Sequence, residues 1–313
     1  MELTSSHRAF LRFRQNYAAV ASALVLAVLF VVILVRPLVE RTGLSHFAPR
    51  ALVQSPTALS EAQFNEPSAE HWLGSDMHGR DLTSRVLYGA GISLLVGLVG
   101  ACVSLVIGVL WGATAGYVGG RYDDVMMRIV DVLYSLPSIV LVIVLITTVE
   151  GFFRQWVADS LSSQWAGAVR FLFLFVGLGS VSWLNMARIV RGEVLSLRTR
   201  AFVEASRALG ATHVRLIARH ILPNISGIII VYLALTIPSV VLYESFLSFL
   251  GLGIQPPQAS LGSLLSDGVA QINSIRVYWW MIVFPGGVLT GLLLALSFVA
   301  DGLRDAFDPR SSR

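Results

Sequence analysis

The chain has 313 residues, of which 55% are hydrophobic and only 13% are charged, with a formal net charge of +4. An ordinary soluble domain carries roughly 25% charged residues. Here the apolar excess falls in long blocks, which excludes a soluble enzyme, a secreted disulfide scaffold and a disordered protein and indicates an all-α polytopic membrane protein.

All 23 basic residues are Arg. A P-loop needs Lys to reach the β- and γ-phosphates, so no P-loop ATPase lies in this chain, and lysine Schiff-base chemistry is excluded on the same ground. The lone Cys102 cannot form an internal disulfide. The positive charge is read as arginines at the ends of membrane spans, not as a nucleic-acid footprint.

In chain order, residues 17–35 form the first uncharged apolar run, about 28 Å long as a helix. Arg8, Arg12 and Arg14 precede it and Arg36-Pro37 follows it. It is too long for a signal peptide and lacks a small-residue cleavage site, so an uncleaved anchor is expected. Further apolar runs at 92–113, 136–149, 171–187, 225–242 and 278–300 bring the expected total to six transmembrane helices. The run at 136–149 is short and is expected to extend backward through the amphipathic stretch 125–135 to cross a bilayer. Six spans place both termini on one side. The segments on that side hold fifteen of the arginines, seven of them between 188 and 219, so the positive-inside rule puts both termini in the cytoplasm. The segment 37–88 is then external, mostly loop with some short helix.

Within the second span Gly100, Ser104, Gly108, Gly112 and Gly116 recur every four residues. Such a stripe lets helix backbones approach closely and predicts a packing face. Pro137, Pro238 and Pro285 lie in or at the start of spans and tend to kink helices. Asp131 follows Arg128 at helical pairing distance, and Glu244 sits at the outer end of the fifth span. The near absence of mid-span charge counts against an ion-coupled transporter.

The inner segment 188–224 is too long for a simple turn and reads as two short helices. Thr199 is expected to cap the first, Gly210 to take the left-handed position after it, and Thr212 to cap the second, which Pro223 ends. Phe202, Ala205 and Leu209 share one face of the first helix; Arg200, Glu204 and Arg207 share another. Two capped helices around a tight glycine elbow indicate a shaped, protruding element.

Glu204-Ala205-Ser206-x3-Gly210, followed by Leu222-Pro223, resembles the EAA loop of ABC-importer permeases, with Ser206 in place of the second Ala and His220 in place of the usual Ile. Three further blocks are similar to the dipeptide/oligopeptide/nickel branch of that family, C-type subunit. They are Leu73-Gly74-Ser75-Asp76-x2-Gly79-Arg80-Asp81-x2-Ser84-Arg85, then Arg128-x2-Asp131-x3-Ser135-x-Pro137, then Leu247-Ser248-Phe249-Leu250-Gly251-Leu252-Gly253 with Pro256-Pro257. The resemblance spans residues 70–302. Gly91 and Leu261 depart from it, standing where the family commonly has Arg and Trp, and both put substrate specificity in question.

The resemblance implies a type I ABC-importer permease fold: a tail and anchor helix (1–36), an extracytoplasmic segment (37–88), a five-helix core (89–302) with the EAA loop at 188–224, and a cytoplasmic tail (303–313). It implies a multi-pass protein of a bacterial-type inner membrane that imports peptides, or, in the same architecture, nickel chelates, glutathione or haem. The implied partners are a homologous second permease subunit, two ABC ATPase subunits that bind ATP and Mg, an extracytoplasmic substrate-binding protein and the lipid bilayer. No catalytic, cofactor or metal residue is implied in this chain. Arg200, Phe202, Glu204, Ala205, Ser206, Arg207, Leu209 and Gly210 would dock on an ATPase. Asp76, Arg80, Asp81, Gln255, Pro256 and Pro257 would face the binding protein.

His71, Asp76, His78 and Asp81 are residue types that ligate transition metals, but a structural role in the outer segment is preferred. No H-E-x-x-H zinc motif is present, and the Gly91-x-Ser93 pair has neither a second Gly nor a triad partner, which counts against a membrane enzyme.

Overall fold

Apolar runs without charge become helices, because a helix satisfies its own backbone in lipid. The computed structural model describes residues 5–42, 54–160, 163–274 and 276–307. It contains α1 (Ser5–Gln15), α2 (Tyr17–Thr42), α3 (Leu82–Val118), α4 (Gly120–Tyr134), α5 (Ser138–Ser160) and α6 (Ser163–Leu197). There follow α7 (Ala201–Ala208), α8 (His213–Arg215), a π turn (Leu216–Ile221), α9 (Leu222–Phe249), α10 (Leu261–Ala270) and α11 (Trp280–Phe307). The only extended pairing among the described residues is an isolated bridge between Ser75 and Asp81.

Among the described residues four helices are long and apolar enough to cross a membrane, or five when α4 and α5 count as one broken span. The expected span at 171–187 falls within α6, of which the side chains of 163–176 and 180 lie outside the described residues. Residues 43–53 of the external segment and 308–313 of the tail also lie outside them.

The third span differs from expectation in shape. The stretch 125–135 is not a straight backward continuation of 136–149, because α4 and α5 meet at an angle of 94°, as a broken span or a re-entrant turn. Pro137 has no N–H to donate and disfavours a helical conformation at Leu136, so the chain breaks at 135–137. Ser135 N–H bonds to the carbonyls of Asp131 and Val132 there. Beyond the break α5 runs forward to Ser160.

The chain divides into two compact units. One comprises 98–240 with the terminal segments. Its core joins Ala113, Met186, Val190, Val194, Val203, Leu216, Ile221 and Ile225. A second cluster joins Ala115, Met127, Val130, Trp183, Leu184 and Ala187. The other unit comprises 16–97 and 241–299. In it Trp280 is fully buried and donates from Nε1 to the Ser75 carbonyl at 3.2 Å. Gly74, at φ +83°, leaves room for that indole ring, since a Cβ there would lie 2.8 Å from its Cδ1. Arg36, at the far end of the anchor run, is also buried and donates to the carbonyls of Ser84 and Gln54. Gly91 admits Ile33 of α2 in the same way, with Cγ2 at 3.0 Å from the Cβ position.

Candidate functional site

The elbow at 200–212 is built from local rules. Arg200, in extended conformation, precedes α7 and is its N-cap, with no side-chain cap bond. The expected Thr199 cap is therefore displaced by one residue. Glu204 lies in the first turn and Arg207 in the last, each favourable toward the helix dipole. At the C-terminus Gly210 sits at φ +83°. Its N–H bonds to the Arg207 carbonyl and the Ala211 N–H to the Ser206 carbonyl, which is a complete Schellman motif. Thr212 then caps α8 by accepting from the Arg215 N–H at 3.4 Å. Pro223 does not end this second helix. The backbone passes through the π turn and continues as α9, with Pro223 in its first turn, where the missing N–H is tolerated. Asn224 Nδ2 donates to the His220 carbonyl at 2.6 Å there.

What holds α7 down is Val203, fully buried against the Leu216 and Ile221 cluster. That burial contributes roughly 2 kcal/mol. The residues expected to dock, Glu204, Ala205, Arg207 and Gly210, are exposed, and Ser206 is half-buried, its hydroxyl donating to the Phe202 carbonyl at 2.9 Å. Phe202 is 41% and Leu209 89% exposed. Both are large apolar side chains left open on a short, firmly rooted helix.

Residues absent from the sequence reading brace this element. Arg198 donates to the carbonyls of Gly116 and Tyr117 at 3.2 and 3.3 Å. The Tyr117 hydroxyl lies 2.8 Å from His213 Nδ1, and the Arg207 guanidinium lies 5.8 Å from the Tyr117 ring centroid.

The stripe on α3 meets neighbouring backbone. A Cβ on Gly108 would lie 2.6 Å from Met186 Cβ, and one on Gly116 2.7 Å from the Arg191 carbonyl. On Gly112 it would run into the Ala187 carbonyl, and on Gly100 into Val240 at 2.8 Å. Ser104 is buried in the same stripe, and its hydroxyl has no hydrogen-bond partner among the described residues. Beside it, Arg191 clamps Asp123 with two bonds, the Nη2–Oδ2 pair at 2.6 Å. Asp131 pairs with Arg188 at 2.8 Å, not with Arg128 on its own helix, because α4 turns that face toward α6.

In the 54–97 region Asp76 and Asp81 organise the chain. Both Asp76 oxygens are occupied: Oδ1 by the N–H groups of His78 (2.8 Å) and Arg80 (3.0 Å), Oδ2 by Arg80 Nε (2.6 Å) and Arg85 Nη1. Arg85 also reaches Asp267 at 3.3 Å. Asp81 accepts from Ser84 N–H at the start of α3 and lies 3.0 Å from His71 Nδ1. The four residues weighed as metal ligands are thus engaged in an ion-pair and capping network. Gln255 donates to the Gly251 carbonyl at 2.6 Å, while Pro256 and Pro257 are exposed at the tip of their loop.

Burial pushes the Asp76 carboxyl up, but the Arg85 charge, the N–H groups of Arg80 and His78 and the Arg80 charge together hold it below the ordinary carboxylate range. A depressed folded value means the stabilisation is present above about pH 4 and is lost as pH falls through the folded value. Thermal unfolding in detergent is expected to show an acid-side loss of stability that Asp76→Asn flattens. That variant should lose on the order of 3 kcal/mol at pH 7, since Arg85 keeps only Asp267. An unchanged acid limb in the variant contradicts this role.

The description of the family model that matches residues 108–313 is a binding-protein-dependent transport system inner membrane component. The chain is 41% identical to the oligopeptide transport system permease protein OppC of Haemophilus influenzae, over 96% of this chain and 86% of that one. It is 39% identical to the dipeptide transport system permease protein DppC of Bacillus subtilis, over 99% and 88%. Among solved structures, an inward-facing form of the MetNI methionine ABC transporter matches with a TM-score of 0.52 at 23% identity, covering 71% of this chain and 96% of that one, a likeness of fold.

Proposed function

The chain belongs to the family of binding-protein-dependent transport system inner membrane components, and from that premise we propose that it is a permease subunit of an ATP-driven peptide importer. Peptide is the cargo because relatives at about 40% identity over nearly the whole chain are named oligopeptide and dipeptide permeases. The single observation that carries the mechanism is the elbow helix: rooted by Val203, yet presenting Phe202, Leu209 and Glu204 without cover.

In this reading the chain crosses the inner membrane six times with both termini in the cytoplasm, and a homologous permease completes the translocation path. Each of two ABC ATPases, which bind ATP and Mg, receives one elbow helix. Arg200, Phe202, Glu204, Ala205, Ser206, Arg207, Leu209 and Gly210 form this chain's contact. An extracytoplasmic binding protein delivers peptide against Asp76, Arg80, Asp81, Gln255, Pro256 and Pro257. ATP-driven closure of the ATPases moves the seated helix, and the helices continuous with it exchange inward-open for outward-open packing. Packed helices have discrete arrangements, so a small displacement at the elbow is amplified.

The test is uptake of a labelled dipeptide and a labelled oligopeptide into vesicles containing the full complex. Uptake is expected to require ATP, the ATPases and the binding protein, and to survive an uncoupler. Uptake that persists without the ATPases and collapses with an uncoupler overturns the proposal in favour of a proton-coupled carrier.

A further inference from the structure

Glu244 is a carboxyl with no exposed surface, buried where a charged group is expensive unless its oxygens are satisfied. Neutral hydroxyls donate to it: Ser93 at 2.8 Å and Ser245 at 3.3 Å on Oε2, and Ser248 at 2.7 Å on Oε1. Two of those hydroxyls pass the connection on. Ser248 Oγ accepts from the Ile254 N–H at 3.1 Å, and Ser93 Oγ accepts from the Leu261 N–H at 3.4 Å. Ile254 and Leu261 bracket the segment that carries Gln255, Pro256 and Pro257.

The flanks of this segment are buried and its tip is open. Gly253, Ile254, Ala259, Ser260 and Leu261 are buried, whereas Pro256 and Pro257 are exposed. Gly253 is packed onto Ser248 and Gly262 onto the Ser245 backbone so closely that neither has room for a Cβ. Ser260 and Ser263 close the start of α10 with a reciprocal capping box. One carboxyl therefore sits at the junction of two hydrogen-bond chains that end on the two sides of one exposed loop. A hydroxyl can donate to the carboxyl and accept from a backbone N–H at once, so removing the carboxyl frees both chains to reorient.

We propose that Glu244 is a positioning residue for binding-protein engagement: through Ser248 and Ser93 it holds the 254–261 loop in the shape that the binding protein meets. This rests on the reading above that the loop faces the binding protein.

The experiment uses the assembled complex in lipid. It measures deuterium uptake of the 250–261 segment and the concentration of the transporter's purified binding protein that half-maximally stimulates ATP hydrolysis. Glu244→Met keeps the volume and removes both acceptors. It is expected to raise segment exchange and the half-saturating concentration by roughly tenfold each, leaving the saturated and unstimulated rates unchanged. Glu244→Gln keeps an acceptor and is expected to restore both values to within about twofold. If Glu244→Met does not assemble, Ser248→Ala cuts the Ile254 chain alone and decides the same question. Wild-type half-saturation in these variants overturns the proposal, as does a fall in the saturated rate without a shift in half-saturation. Pro257→Arg at the loop tip separates the two levels. If it shifts half-saturation while the Glu244 and Ser248 variants do not, only the positioning role fails. If it shifts nothing, the docking reading fails and the proposal with it.

Discussion

Gly210→Val is expected to reduce ATP-driven peptide uptake by at least about tenfold while the chain still inserts and assembles. The reason is conformational. Gly210 sits at φ +83°, and beyond its adjoining residues no atom lies within 4 Å of the position a Cβ would take. Steric crowding by neighbours is therefore not the issue. A β-branched residue in the left-handed region costs on the order of 1–3 kcal/mol, enough to offset what the two Schellman bonds return. The bonds from Gly210 and Ala211 to Arg207 and Ser206 open, and the angle between α7 and α8 is no longer defined. Because the site is open, the series should follow backbone tolerance and not size. Gly210→Asn is expected to transport best, Gly210→Ala next and Gly210→Val worst. Glu204→Arg forms a companion. Its effect on folding is small, about 0.5 kcal/mol from the helix dipole, so a large loss of uptake would report on docking alone. Measured uptake per inserted complex, together with peptide-stimulated ATP hydrolysis, tests the series. Normal uptake in Gly210→Val, or an Asn variant as poor as Val, contradicts the elbow as the coupling element.

Gly112→Leu carries the largest expected effect on folding, on the order of 4 kcal/mol. Its Cβ would enter the Ala187 carbonyl, with the Arg191 nitrogen and Val190 Cβ each 3.0 Å away. These are backbone and β-branched atoms of α6 that cannot rotate aside, so the two helices must separate. Separation also pulls on the Arg191–Asp123 clamp, because Arg191 lies on the same helix. Two controls have opposite expectations. Gly192 on α6 has open space around it, and Gly192→Ala should be neutral or stabilising by up to about 1 kcal/mol through helix propensity. Ser104→Ala removes a buried hydroxyl that has no partner among the described residues and should stabilise by about 1 kcal/mol. Thermal midpoints in one detergent compare all three. A Gly112→Leu protein as stable as the parent would show that the stripe is not a packing face.

Much of the candidate site was legible because it depends on neighbours in sequence. A glycine after a short amphipathic helix, a threonine two residues later, and an EAA-like spacing suffice to draw the elbow, and Gly210 and Thr212 adopt the conformations those rules require. The errors share a cause. Cap propensity favours Thr199, yet the helix starts one residue later with Arg200 as a cap that makes no side-chain bond. Pro223 reads as a stop, yet a π turn lets the helix run through it. Asp131 had an eligible partner three residues away, but tertiary packing gave it Arg188 instead. Glu244 looked like a charge at a membrane boundary, when it is fully buried among the hydroxyls of Ser93, Ser245 and Ser248.

By itself the sequence determined that this is a helical, multi-pass membrane protein. It also determined where the apolar helices run and that a capped elbow stands between two of them. These follow from hydropathy, periodicity and the local geometry of Gly and Thr, all of which act over a few residues. Only the tertiary structure decided that α4 and α5 break at 94°, that Val203 roots the elbow, that Arg191 and Arg188 select Asp123 and Asp131, and that Glu244 meets Ser93. Those choices join residues tens of positions apart, and which of several equally eligible partners meet is set by how helix faces pack, information that no local pattern contains.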